Sequence, residues 1–285
     1  MNGFINYYKP SGISSAYAIN IIKKLFKGHK IGHLGTLDPL AEGVLPLAIG
    51  KSTRLFDYML DKQKEYIAEF TFGYETDTLD RGGNIVCEGG LIPSKEDVLK
   101  AIPSLVGVVD QIPPLFSAKN VGGQRGYALA RRGVEFELKA KKVEIDEILM
   151  LDYSNGVGSF KITCKGGTYI RAICRDMAKA LGTYGTMTKL KRTKSGAFSV
   201  ENAITEENLR KVENLNDLIT PPDSVLTLEK AYLNESDTVE LINGRPFTFD
   251  KKDGVYSVYA NDNSFIGVGI AQNKSLKIKA FIKEL

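Results

Sequence analysis

One carboxylate is set apart by what surrounds it. Asp38 lies between Gly32 and Arg54, a span with four glycines and two prolines, where a chain adopts unusual dihedrals and approaches something other than itself. Pro39 clashes with a helical residue before it, so Asp38 is held extended on a turn with its side chain free for chemistry. The same Asp-Pro pair also suits an Asx turn that caps the following segment. The neighbours favour a site: His33, one of two histidines, stands five residues upstream, and Lys51 and Arg54 follow downstream.

Other motifs that carry chemistry elsewhere are incomplete. Gly50-Lys51-Ser52-Thr53 imitates the end of a phosphate-binding loop, but the glycine required five residues before Gly50 is Leu45. Gly156-x-Gly158 and Gly267-x-Gly269 lack the last glycine and the following helix of a dinucleotide fingerprint. His29 and His33 have the spacing of zinc ligands on a helix, yet Gly28, Gly32 and Gly35 oppose a helix and no third ligand matches. Asp77 and Asp80 fail the calcium-loop pattern, because Leu79 takes the third ligand position. Three cysteines without C-x-x-C spacing indicate neither a disulfide framework nor a thiolate metal site. No metal and no cofactor is expected.

The stretch from Gly32 to Pro46 resembles the signature of the TruB family of tRNA pseudouridine synthases. Further stretches in the family's order extend the likeness over most of the chain: Lys9-Pro10-Ser11-Gly12-Ile13-Ser14-Ser15, Lys64-Glu65-Tyr66, Thr76-Asp77-Thr78 to Gly82, Gln111-Ile112-Pro113-Pro114 and Gly167-Thr168-Tyr169-Ile170-Arg171. The resemblance implies isomerisation of uridine 55 in the TΨC loop of tRNA, by base flipping and covalent catalysis through Asp38. It also implies that His33 occupies the space left by the flipped uridine. One carboxylate, one arginine and two tyrosines suit covalent catalysis at a nucleobase. Arg171 would orient Asp38 and lower its pKa, Tyr66 would stack on the base, and Tyr169 and Leu190 would line the pocket. An ion pair of Arg171 with Asp176 is the alternative. Tyr169 and Arg171 are read as two apart at a strand end, on one face. Lys9, Arg54, Lys119, Arg131, Arg132, Lys191 and Arg192 are the cations expected on the RNA backbone.

Several elements must position these residues. Residues 3–8 read as a strand, and Ser14 or Ser15 caps a helix to about Lys27 with Ala18, Ile21, Ile22 and Leu25 inward and Lys23, Lys24 and Lys27 outward. Alternation marks a strand over 66–72, a turn runs from Thr76 to Asn84, and Ser94 caps a helix to about Pro103. Residues 111–138 form a cationic, glycine-containing excursion, in the family a flexible insertion that grips the RNA stem-loop. Strands follow at 141–153 and 159–164, helices at 172–181 and 205–210, and a linker at Thr220-Pro221-Pro222-Asp223. From Leu228 a helix ending at Asn243-Gly244 and short strands around 246–249, 255–260, 265–271 and 276–282 resemble a small PUA-like RNA-binding barrel.

The 285 residues thus read as an α+β protein: a mixed, largely antiparallel sheet flanked by helices and loops in a catalytic domain (1–225), and a small C-terminal PUA-like β domain (226–285). A formal net charge of +4 permits a nucleic-acid partner without demanding one. No basic leader precedes an apolar run, and no stretch approaches the ~20 apolar residues that span a bilayer. A cytoplasmic monomer is expected, with tRNA as partner and neither membrane nor obligatory protein partner. A guide-RNA-dependent synthase of the dyskerin type and a non-catalytic tRNA-folding protein are the alternative readings.

Overall fold

In the computed structural model, which describes residues 1–285 except 60, 61, 118, 122, 135, 284 and 285 and gives the backbone alone at 120, 121, 125 and 128, strand β1 (Gly3–Lys9) leads into helix α1 (Ser15–Leu25). Ser14 is the cap of α1, its hydroxyl accepting from the Tyr17 N–H. The helix stops short of Lys27, and Leu25 stays exposed while Ala18 and Ile22 are buried. Strands β2 (Ile31–His33) and β3 (Glu42–Ile49) bracket the Asp38 loop, and a 3-10 segment, Gly50–Tyr58, follows. Next come β4 (Lys64–Phe72), the small hairpin β5 (Tyr74–Thr76) and β6 (Ile85–Glu88), and α2 (Lys95–Ala101). A 3-10 turn, Ile102–Leu105, replaces the end expected for α2, since Pro103 has no N–H to continue the α pattern. Strand β7 (Gly107–Gln111) precedes the insertion, which holds β8 (Asn120–Val121), β9 (Gln124–Arg125) and α3 (Gly126–Arg131).

The second half supplies β10 (Lys141–Ser154), β11 (Val157–Cys164), α4 (Ile170–Ala180), β12 (Gly185–Ser195), β13 (Phe198–Ser199) and α5 (Glu206–Leu209). One sheet runs in the order β1-β3-β12-β4-β11-β10-β7, with β2 joined to β3 and β13 to β12. Among the described strands of this sheet, β3 and β12 alone pair in parallel, at Lys191↔Glu42 and Arg192↔Gly43. Gly43, at φ +105, is required there: a Cβ would stand 2.2 Å from the Arg192 carbonyl oxygen. The alternation in β4 buries Tyr66, Ala68, Phe70 and Phe72 in one core with Ile170, Ile173 and Met177 of α4.

The C-terminal sheet is β14 (Glu229–Tyr232), β15 (Gly254–Tyr259), β16 (Phe265–Gln272) and β17 (Ser275–Phe281), in that order, with α6 (Glu235–Ile242) between the first two. β14 pairs in parallel with β15, a non-local contact for which Glu229-Lys230-Ala231-Tyr232 carries no local signal. The strand expected at 246–249 reduces to one bridge, Thr248↔Ser275, because Pro246 cannot donate to a ladder. Val268, Ala280 and Ile282 share a core with Phe4, Val44 and Leu55 of the larger sheet and the 3-10 segment. The Thr220 linker is likewise pinned, exchanging both backbone hydrogen bonds with Phe4 at 2.9 and 2.8 Å.

The stretch carrying Tyr169 and Arg171 departs from expectation. It is no strand end: Tyr169 is the N-cap of α4 and Arg171 lies in the first turn. Tyr169 has no side-chain cap of its own, so the usual Ser, Thr, Asp or Asn marker of a helix start is absent from the sequence.

Candidate active site

The Asp38 loop is built between two paired strands. His33 pairs with Leu47, and Leu34 N–H donates to the Pro46 carbonyl at 2.9 Å, so residues 34–46 close into a tight excursion. Within it Gly35 takes φ +92 and Ala41 N–H returns to the Asp38 carbonyl at 3.0 Å. Lys9 holds the loop from below: its ammonium donates to the carbonyls of Pro10 at 2.9 Å, Ile13 at 2.7 Å and Pro39 at 3.4 Å. Burial lowers its pKa to about 8, against the pull of the Asp38 charge. Arg192 holds the loop from β12, donating to the carbonyls of Val44 at 2.7 Å and Gly35 at 3.2 Å.

Asp38 itself meets Arg171. The guanidinium Nε stands 2.9 Å from Asp38 Oδ2, with Arg171 5% and Asp38 32% exposed, so the carboxylate keeps an open side. Arg171 also contacts Asp80 Oδ2 at 3.4 Å and donates to the carbonyls of Thr78 at 2.8 Å and Phe116 at 3.0 Å. One guanidinium thereby joins the signature loop, the 76–84 turn and the insertion. The other oxygen of Asp80 is fixed by the Gly82 N–H at 2.9 Å and the Thr78 hydroxyl at 3.0 Å. Burial raises the Asp38 pKa above the ordinary carboxylate value; Arg171 opposes this, and the nearby Asp80 charge adds to it. Arg171 does act to lower the Asp38 pKa, as expected, but desolvation outweighs it and the net shift is upward. The alternative partner of Arg171 is also settled: Asp176 pairs with Arg175 at 2.8 Å.

Tyr66 and Arg192 face each other across β4 and β12, with Leu190 opposite Ala68 two pairs along, on the same face. Tyr66 is 6% exposed, and burial raises its hydroxyl pKa while Arg192 beside it acts the other way. His33 is half-buried, its pKa lowered by burial and by Arg192, and its Nδ1 has no hydrogen-bond partner among the described residues. Burial raises the pKa of the Tyr169 hydroxyl, which lies against Ser117. A cleft of about 340 Å³ reaches this region, lined by Leu40 of the Asp38 loop, Arg81 next to Asp80, and Leu190 and Lys191 of β12.

The structure thus brings Asp38 and Arg171 together, and Tyr66 with Arg192, but it removes two of the cations assigned to RNA. Lys9 is 0% and Arg192 1% exposed, their donors spent on carbonyls of the signature loop and its neighbours. Arg54 is exposed but donates to the Phe281 carbonyl at 3.1 Å, tying the 3-10 segment to β17. Arg131 and Arg132 are exposed on the insertion and Lys119 is half-buried there. Lys191 is half-buried with its ammonium 5.9 Å from the Tyr8 ring centre. Asp80 was missed as a site residue; its signals were a second carboxylate within the turn and its place inside the Thr76-to-Gly82 stretch that carries the resemblance.

Residues 23–170 match the model of the TruB family pseudouridylate synthase N-terminal domain, and residues 171–227 that of the tRNA pseudouridylate synthase B C-terminal domain. The chain is 38% identical over 290 residues to tRNA pseudouridine synthase B of Clostridium kluyveri, covering 99% of this chain and 100% of that protein. It is 40% identical to the protein of the same name from Clostridium tetani, covering 98% of each. Among solved structures, a chain of an H/ACA RNP bound to a substrate RNA containing 2'-deoxyuridine superposes with a TM-score of 0.74 at 21% identity, covering 99% of this chain and 85% of that one. A chain of a Cbf5-Nop10-Gar1 complex does so with 0.72 at 24% identity, covering 96% and 79%. These two likenesses are of fold.

Proposed function

The chain belongs to the TruB family of tRNA pseudouridine synthases, and from that premise we propose that it isomerises uridine 55 in the TΨC loop, with Asp38 as the nucleophile. As a member of this family it converts uridine to pseudouridine in tRNA. The reaction breaks the N1–C1′ bond and joins C5 to C1′; the C5 proton leaves and N1 gains one, so no redox partner is involved. The supporting observation is the Asp38–Arg171 ion pair at 2.9 Å, in which the carboxylate is oriented by a buried cation yet remains a third exposed. Asp38 reacts ionised, and Arg171 offsets part of the cost of that charge in a desolvated setting.

Reaching the site requires the base to leave its stack, at about a few kcal/mol. Exposed cations on α1 and the insertion, Lys23, Lys24, Arg131 and Arg132, are placed to offset this through the RNA backbone. Tyr66 and Tyr169 then flank the base, Leu190 lines its pocket, and His33 fills the space it vacates. The reading includes a catalytic domain over 1–225, a C-terminal PUA-like domain over 226–285, and action in the cytoplasm as a monomer without an obligatory protein partner. The test is incubation of the purified chain with an unmodified tRNA transcript and mapping of pseudouridine along it. Product confined to position 55 is expected, and Asp38→Asn should lower the rate by about 10⁴-fold or more while tRNA binding persists. Binding without product would favour a guide-dependent or non-catalytic role.

A further inference from the structure

Two buried polar side chains make the same contact on either side of the Asp38–Arg171 pair. Ser15, 4% exposed in the first turn of α1, accepts from the Leu37 N–H at 2.9 Å and donates to the Leu37 carbonyl at 2.8 Å. Gln111, 2% exposed at the end of β7, accepts from the Tyr169 N–H at 2.9 Å and donates to the Tyr169 carbonyl at 3.1 Å. Each holds both polar groups of one residue, as an adjacent strand would, although neither Leu37 nor Tyr169 belongs to a strand. Leu37 immediately precedes Asp38, and Tyr169 is the N-cap of the helix whose first turn carries Arg171.

We propose that Ser15 and Gln111 are positioning residues for the isomerisation, setting the separation and angle at which Arg171 meets Asp38. The inference rests on the reading of Asp38 as nucleophile. Without its clamp each segment would have to turn a buried N–H and carbonyl towards water, which moves the chain that carries the reacting or orienting group. Gln111 has a second reach, because it stands at the root of the insertion. Arg175 donates to the Ile112 carbonyl at 2.9 Å and Arg171 to that of Phe116 at 3.0 Å, so the insertion's stem and the start of α4 are stitched into one body. RNA drawn to the cations of the insertion thereby acts on the segment that holds Arg171.

The experiment compares Ser15→Ala, Gln111→Ala and Gln111→Glu by single-turnover pseudouridine formation at saturating tRNA across pH, with tRNA affinity and urea unfolding measured alongside. Rates about 10- to 100-fold lower are expected for both alanine variants, the range for a displacement near 1 Å. Affinity should stay within about twofold, and the acid limb should move to higher pH, because a looser Arg171 holds Asp38 ionised less firmly. Gln111→Glu should recover rate at acid pH, where its protonated carboxyl donates to the Tyr169 carbonyl as the amide does. Ser94→Ala, which removes the cap of α2, should lower stability while leaving rate and profile unchanged. Wild-type rates, or losses that follow the folded fraction with an unmoved acid limb, overturn the proposal. An active Asp38→Asn enzyme would overturn the nucleophile reading instead, which keeps the two failures apart.

Discussion

Two buried arginines serve the same loop in opposite ways. Arg171 sits in the first turn of α4, where the positive end of the helix disfavours a cation, and it is met by the carboxylates of Asp38 and Asp80. Arg192 lies within β12 and forms no carboxylate ion pair among the described residues; its donors go to the carbonyls of Val44 and Gly35, with the Tyr66 hydroxyl alongside. The first therefore binds the reactive side chain and the second binds the backbone that presents it. Their charges diverge in effect as well. Arg171 favours an ionised Asp38, whereas Arg192 pushes His33 and Lys9 towards their neutral forms. Buried cations in one site thus divide into a partner for chemistry and a frame for shape.

Removing Arg171 should have the larger effect. Arg171→Met leaves two carboxylates facing each other, and the rate should fall by about 10³-fold, with stability lower by ~3 kcal/mol, the low end for a broken buried pair because Asp38 is partly solvated. Single-turnover kinetics and urea unfolding read both quantities, and Arg171→Lys should recover little, since a point charge cannot replace the four-way fork. Arg192→Met should lower stability by about 2 kcal/mol through the stranded carbonyls, but the rate by only about tenfold. A rate loss at Arg192 greater than at Arg171 would break the division between partner and frame.

The smallest effect sharpens the comparison through pH. Because the folded-state pKa of Asp38 is raised, its ionisation costs stability, fully so above the folded value and not at all below the unfolded one. Stability should therefore decline, and activity rise, as pH climbs through that interval. Asp38→Asn should melt at a higher temperature than the parent at neutral pH, with the gap closing in acid. Lys9 has the opposite sign: its pKa is lowered to about 8, so its charge costs stability as pH falls from the unfolded lysine value towards 8. Thermal melts from pH 4 to 10 would register both slopes.

Much of this was legible before folding. The alternation of β4, the caps Ser14, Ser94 and Thr205, and the glycine- and proline-bounded loop of Asp38 are local patterns, and each lies where its pattern puts it. Local pattern failed where partners come from afar: β14 gains its strand character from β15, and the N-cap of α4, Tyr169, is held by Gln111, 58 residues upstream in sequence. It failed also for cations, since Lys9 and Arg192 carry the same charge as Arg131 and Arg132 but lie inside.

The residue types and spacing by themselves determined the chemistry on offer: a carboxylate on a turn that a proline keeps extended, an arginine available to orient it, and a strand to carry Tyr66. Only the tertiary structure decided which cations face solvent and which hold the frame. Only it set Asp80 beside Arg171 and made desolvation outweigh the ion pair at Asp38. The reason is physical. A backbone's local preferences act over a few residues, whereas burial and Coulomb energy depend on distances that exist only once strands and loops from the whole chain have come together.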